Sequence, residues 1–519
     1  MSAAPFPDRP DPFGQKNAER LSLAIVALAF LAALLFSMAK RGPWYDEFYT
    51  YYVTGPGFGL HEALFGHWLT DNHPPLFYML VRAARALWGS IEALRLVNAV
   101  IGVVAFGCAV AAVRGDRRIA PLAISFFLVL ASQRAAILYG AELRSYFLSL
   151  CSVSVLVLAL TAAYLDQHPG GRWRRVALAG SILLSFNNHI VTTLISGAIL
   201  LPFVVSFAVQ RNVGALKATL IPAAISGVIF LSVTAIQFPL WETNTRSFWI
   251  PAGFNAGRLA VQIAALRALE ANVVILVLGM LGIGIALVRS IRRRRRNPEV
   301  EAAVLLGFGG LLAAGVVLGI QCWRPFLVEK YLIGLIPVLG MILSLGMAEM
   351  LQYSGKRLGS LLVLLAAAAS LVAINGNRLE TAGKNSWVGT ASVIGGQVAD
   401  CRDTAVHIDP YWNADLIAIP PRDNEAAVGM AYQVMAKRFG FAIEPAASRR
   451  LSSRCPTLFW AEHDTRRHFT AAEILAHLRD NGYPVSRILV FRVGDGWVAS
   501  ASPQSRPDIA TSASRRSGK

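Results

Sequence analysis

The sequence predicts a polytopic α-helical membrane protein followed by a small α/β domain, and three observations carry that prediction. Of the 519 residues, 55% are hydrophobic and only 15% charged, against roughly 25% charged in ordinary soluble domains. Apolar runs close to the ~20 residues that a bilayer requires recur between residues 21 and 375. Basic residues gather in alternate connectors between those runs, the pattern of cytoplasmic loops, and the chain turns polar after residue 375.

Residues 1–20 read as a cytoplasmic N-terminus. The first run lacks a clear small-residue cleavage site, so it is expected to remain as a span. About eleven spans follow, near 21–39, 93–113, 119–138, 145–165, 174–188, 190–209, 215–236, 260–288, 301–320, 331–350 and 358–375. The inner connectors are then Arg114 to Arg118, Arg172 to Arg175, Arg211 to Lys217, Arg292 to Arg296 and Lys356-Arg357, all basic. The formal net charge of +18, from 49 Lys and Arg against 31 Asp and Glu, therefore reflects membrane topology, and no nucleic-acid partner is expected.

The outer connectors differ in kind. They carry Asp46-Glu47, His61, His67, Asp71, His73, Glu142, Arg144, Asn188-His189, Trp241 to Trp249 and Arg324 to Tyr331. The longest is the first, residues 40–93. Within it, Met79 to Trp88 is apolar but broken by Arg82 and Arg85, which suits an amphipathic helix lying in the interface after Pro74-Pro75. Carboxylates at a lipid boundary are costly to keep ionised, so Asp46-Glu47 mark a functional site by default. The plain alternative is a pair of acidic residues in a first helical turn. Asn188-His189 reads most simply as a turn between two short spans.

An acidic pair after the first span, His73-Pro74-Pro75-Leu76-Phe77-Tyr78, and Ala141-Glu142-Leu143-Arg144-Ser145-Tyr146 stand in this order along the chain. Val328-Glu329-Lys330-Tyr331-Leu332 follows, with Pro337 further on. Over residues 20–375 this arrangement resembles the bacterial GT-C glycosyltransferases. More narrowly it resembles the branch of protein O-mannosyltransferases and the lipid A aminoarabinose and galacturonic acid transferases. The resemblance implies transfer of a sugar, with inversion, from a polyprenyl-phosphate donor at the outer membrane face. It makes Asp46 the first-loop catalytic carboxylate and puts Glu142 where relatives place a second acid. Lys330 stands where arginine is usual in such relatives, and lysine offers a point charge rather than a planar fork.

The residues suit that chemistry. An acceptor hydroxyl is a poor nucleophile unless a carboxylate takes its proton. Asp46 is the candidate base, with Glu47 orienting it or binding the acceptor. The leaving phosphate departs without a proton when cations hold its charge. Arg144 and Lys330 are the candidates, with Arg82 or Arg85 as further ones. His73 and Tyr331 complete the substrate-binding set. No cofactor and no dissociable metal are expected, a divalent ion on Asp46, Glu47 and Glu142 being the open alternative.

Residues 376–501 are expected to form a periplasmic α/β domain and 502–519 a disordered tail. The pattern gives helices at 386–399, 425–439 and 471–481, strands at 404–408 and 457–460, and a hairpin over 488–501. Cys401 and Cys455 are the domain's only cysteines, and an oxidising compartment would pair them. His407, Asp409, Tyr411, Trp412, His463 and Asp464 are candidates for an acceptor surface without catalysis.

The expected protein is thus a multi-pass enzyme of the bacterial inner membrane. It moves a sugar to a lipid A, lipopolysaccharide core, other glycan or protein acceptor, with membrane lipids around it. A flippase or transporter of a lipid-linked glycan is the rival, but it calls for ionisable groups near the bilayer midplane and inverted repeats. A non-enzymatic assembly protein is the other.

Overall fold

The computed structural model describes residues 13–71, 73–114, 119–166, 171–246, 250–293, 296–384, 386–408, 423–424, 426–445, 447–462, 470–483, 488–494 and 496–503. The expectations for Asp409, Tyr411, Trp412, His463, Asp464, Phe248, Trp249 and the residues from 504 lie outside them. The chain divides into two compact units, one of residues 1–39 and 59–381, the other of residues 40–58 and 382–519.

The first unit is a helical bundle. Among the described residues nine helices are long and apolar enough to cross a membrane, or ten if the bent pair Ala120–Ser132 and Arg134–Gly140, 65° apart, is one span. The protein is therefore a multi-pass membrane protein. The bundle follows the expected spans except at three places, the first being that bent pair, which replaces the single run expected over 119–138. Arg172–Asn188 is a helix of only 17 residues, short for a crossing. The single run expected over 260–288 is two helices, Phe254–Glu270 and Val273–Arg293. They part at Asn272, whose Oδ1 accepts from Ile275 N–H at 3.1 Å, as asparagine does at a helix start.

Buried polar groups stitch the bundle. Asn272 Nδ2 donates to Ser370 Oγ at 2.9 Å and to Ser132 Oγ at 3.2 Å, joining three segments far apart in sequence. Arg174, in a basic connector, does more than mark topology: its Nε donates to the Ala112 carbonyl at 2.8 Å and its Nη1 meets Asp166 at 2.9 Å.

Val273–Arg293 and Ile336–Tyr353 pack through glycine. A Cβ on Gly282 would lie 1.7 Å from the Gly346 carbonyl oxygen, and one on Gly279 would lie 2.7 Å from that of Leu343. Small residues let membrane helices approach in this way. Gly282→Val is accordingly expected to lower stability by at least the ~1–3 kcal/mol of an overpacked core, read as the midpoint of unfolding in mixed micelles. An unchanged midpoint would mean that these two helices do not touch here.

The second unit holds a four-stranded sheet. Its strands are β1 (Ala405–Ile408), β2 (Thr457–Ala461), β3 (Ile488–Val493) and β4 (Gly496–Ala501), in the order β1-β2-β4-β3. β1 and β2 are parallel and the other pairs antiparallel. Helices Ser386–Asp400, Ala426–Phe439 and Ala471–Asp480 accompany it, each within a residue or so of its expected bounds. Cys401 and Cys455 form a disulfide. The unit also takes in residues 40–58 of the first loop. Gly42 N–H donates to the Lys384 carbonyl at 3.0 Å, and Phe48 lies 5.0 Å from Trp387, which stacks in turn near Tyr432 and Trp460.

His407 belongs to this sheet rather than to a surface. It is buried, lies over Phe459 and bonds the Arg450 carbonyl at 2.7 Å through Nε2. Desolvation holds its imidazole below the ordinary 6.5, Arg449 and Arg450 acting the same way against the Arg450 carbonyl and Glu444. The unfolded chain then binds a proton that the folded unit resists. Its stability is complete above pH 6.5 and declines as the pH falls through the window below it. His407→Phe should flatten that acid-side decline in unfolding measurements between pH 7.5 and 5, and an unaltered slope would remove His407 as its cause.

Candidate functional site

Four separate connectors of the helical bundle meet at one end of it. Each is fixed by its own backbone device. The segment around His73 is held by Gln237 from helix Val213–Arg246, whose Nε2 donates to the carbonyls of Asp71 at 2.9 Å and His73 at 3.0 Å. Tyr78 OH also bonds the Asp71 carboxylate. The Ala141 to Ser145 turn, between Arg134–Gly140 and Tyr146–Leu165, is gripped by Asn98, which donates to the Glu142 carbonyl at 2.5 Å and that of Gly140 at 3.1 Å.

The third connector is Asn188-His189, where the Arg172–Asn188 helix breaks into Ile190–Val209. Asn188 Nδ2 donates to the Ser145 carbonyl and to Ser149 Oγ, both at 2.8 Å. The fourth is the 3-10 turn Glu329–Leu335. Gln321 shapes its approach by accepting from Phe326 and Leu327 N–H at 2.9 and 2.8 Å, and Arg267 matches Glu329 at 2.5 Å.

Aromatic rings and cations fill the space these connectors enclose. His73 and His189 lie 4.8 Å apart, His189 and Tyr331 4.9 Å, and Tyr146 sits 5.8 Å from His189 and 6.0 Å from Tyr331. Lys330 Nζ is 5.4 Å from the Tyr146 ring centre and 5.9 Å from that of Tyr331, and the Arg144 guanidinium is 6.0 Å from Tyr146. Such placements suit cations held by ring faces. His73, Glu142, Arg144 and His189 are all buried. The structure thus brings His73, Arg144, Lys330 and Tyr331 together, four residues that the sequence reading names as substrate-binding.

His189 stands at the head of its helix, outside the Ile190–Val209 span. Burial drives its pKa well below 6.5, and the charges of His73, Arg144 and Lys330 push in the same direction. Both effects favour the uncharged ring. The sequence reading takes it for part of a turn. The signal that would have found it is a histidine and an asparagine together at a break between two apolar runs.

The Arg174, Asp166 and Ala112 contacts described above lie at the opposite end of these helices. Tyr146–Leu165 alone runs 20 residues between the two clusters, about 30 Å at 1.5 Å per residue. A cleft of about 310 Å³ leads along the same helix. It is lined by Phe147, Leu150 and Cys151 on that helix and by Gly102, Ala105 and Ala109 on Leu96–Val113. Its lining is almost wholly apolar.

Asp46 and Glu47 lie in the other unit, in the first turn of helix Tyr45–Val53. That helix packs on Ala426–Phe439 through a buried face that includes Glu47, Phe48, Thr50 and Val53. Glu47 is fully enclosed, whereas Asp46 is half-buried. Of the pair, Asp46 is the one a ligand can reach. Among the described residues no three His, Cys, Asp or Glu side chains gather in a group that would hold a metal ion.

No family model and no curated protein matches the sequence. Solved structures do match. The crystal structures of ArnT from Cupriavidus metallidurans, apo and bound to undecaprenyl phosphate, each align with 93% of this chain and 99% of their own. Each does so at 14% identity and a TM-score of 0.51. The chain therefore shares the GT-C fold of these structures, with a small mixed α/β domain at its C-terminal end.

Proposed function

We propose that the protein is an inverting glycosyltransferase that moves a sugar from a polyprenyl-phosphate donor to an envelope acceptor at the periplasmic face of the bacterial inner membrane. The supporting observation is the enclosed cluster of Arg144, Lys330, Tyr146 and Tyr331 at one end of a GT-C bundle. Two fixed cations beside a half-dry aromatic wall suit a phosphate attached to an apolar chain. The cleft below Tyr146 offers that chain an apolar course along Phe147, Leu150 and Cys151. A protein of the same fold has been crystallised with undecaprenyl phosphate, which is the same chemistry.

In this reading the acceptor oxygen attacks the anomeric carbon, the bond from that carbon to the phosphate oxygen breaks, and the configuration inverts. Asp46, assigned from its place in the sequence, takes the acceptor proton. The phosphate leaves as an anion whose growing charge meets Arg144 and Lys330, already in place and without reorganisation. Glu142 serves as the second acid and accepts hydroxyl hydrogens of the sugar. His73 and Tyr331 complete the phosphate and sugar contacts. The acceptor is a lipid A or lipopolysaccharide core sugar, or another envelope glycan.

The test is transfer itself. Membranes containing the protein, given undecaprenyl phosphate bearing a labelled sugar, should pass label into a lipid or glycan fraction that control membranes leave unlabelled. Label that stays on the polyprenyl donor but crosses the bilayer would instead identify a transporter.

A further inference from the structure

We propose that His189 is a phosphate-binding residue whose Nε2–H donates to a phosphate oxygen of the lipid-linked donor. The proposal rests on the transferase reading above and adds to it a residue that neither the sequence motifs nor the fold assign.

His189 caps Ile190–Val209 in an extended conformation, φ −155° and ψ 134°, and its Nδ1 accepts from Val191 N–H at 3.2 Å. A nitrogen that accepts carries a lone pair, so in the neutral ring the proton belongs to Nε2. The backbone of its own helix therefore fixes the tautomer. That Nε2 is buried and, among the described residues, meets no hydrogen-bond partner. Buried donors are nearly always satisfied, and each exception calls for a reason.

The surroundings supply one. The ring lies within the cluster, its centre 4.8 Å from that of His73 and 4.9 Å from that of Tyr331. Arg144 and Lys330 lie close enough that their charges act on the imidazole. A neutral donor among cations fits an anion with several acceptor oxygens. The two charges supply attraction, and the N–H supplies direction without a third charge to bury.

Two substitutions separate this role from simple capping. Asparagine places its Oδ1 near the Nδ1 position and keeps the cap, but offers no donor where Nε2 stood. Glutamine reaches the Nε2 position with its amide N–H and gives up the cap. Affinity for undecaprenyl phosphate and thermal stability are measured on full-length protein in nanodiscs. His189→Asn should melt as the wild type does and bind about tenfold more weakly. His189→Gln should melt earlier and bind within about threefold. If His189→Asn binds like the wild type while His189→Gln loses affinity with its stability, His189 is a cap only and the proposal fails. If folded wild-type protein binds no undecaprenyl phosphate, the transferase reading fails and takes the proposal with it.

Discussion

Asp46→Asn is expected to lower sugar transfer by ~100-fold or more while leaving affinity for undecaprenyl phosphate within about threefold of wild type. The substitution removes one oxygen's basicity and nothing else of size. Proton removal from the acceptor belongs to the transition state, so the loss should fall on kcat and on kcat/KM alike. Glu47 provides the internal comparison. It shares the same helical turn but is fully enclosed beside Phe48, so Glu47→Gln acts through the packing of the Tyr45–Val53 helix and should show as lost stability. Equal transfer by wild type and Asp46→Asn, at equal abundance, would leave the enzyme class standing and remove Asp46 from the chemistry.

Much of this architecture was legible because its signals are local. Apolar runs of bilayer length, basic connectors and a Gly-Asp-Gly hairpin depend on neighbours in sequence, and the spans, the sheet and the Cys401–Cys455 bond follow them. The break at Asn272 was also local, since a cap residue stands inside an apolar run, but the hydrophobic pattern alone runs straight through it. What stayed hidden depends on distant partners. Residues 40–58 join the second unit through Gly42 with Lys384 and Phe48 with Trp387, contacts separated by more than three hundred positions in the chain. No periodicity reports such a pairing. Arg174 looked like one more topological charge until its partners Ala112 and Asp166 were visible.

The candidate site divides along the same line. His73, Glu142, Arg144, Lys330 and Tyr331 announce themselves as polar residues in connectors that the alternation of basic loops puts on one side. His189 and the buried amides that support them do not. Asn98, Asn188, Gln237 and Gln321 sit in or at the ends of apolar helices, where a single sequence gives no reason to prefer an amide that positions a loop over one that happens to be buried. Each of them donates to, or accepts from, the backbone of a connector carrying a proposed ligand-binding side chain or a turn leading to one.

Arg144→Gln and Lys330→Gln should each lower kcat/KM by ~30- to 100-fold, and Lys330→Arg should retain activity within about tenfold. The leaving phosphate gains negative charge as its bond to the sugar breaks, so a cation held in place is worth more in the transition state than in the bound donor. Arg144 is buried and Lys330 lies over two tyrosine rings, in surroundings less polar than water, where such a charge acts strongly. Either substitution removes one of the two charges proposed to serve the same oxygens. The double substitution is therefore expected to cost less than the product of the single ones, as for groups that act as a unit. Arginine at position 330 keeps the charge but changes its shape, and restores the residue that the resembling transferases usually carry there. The competing account is that the two cations merely hold Tyr146 and Tyr331 in place. In that case thermal stability falls in step with activity, folded protein retains its full affinity for undecaprenyl phosphate, and Lys330→Arg gains nothing over Lys330→Gln.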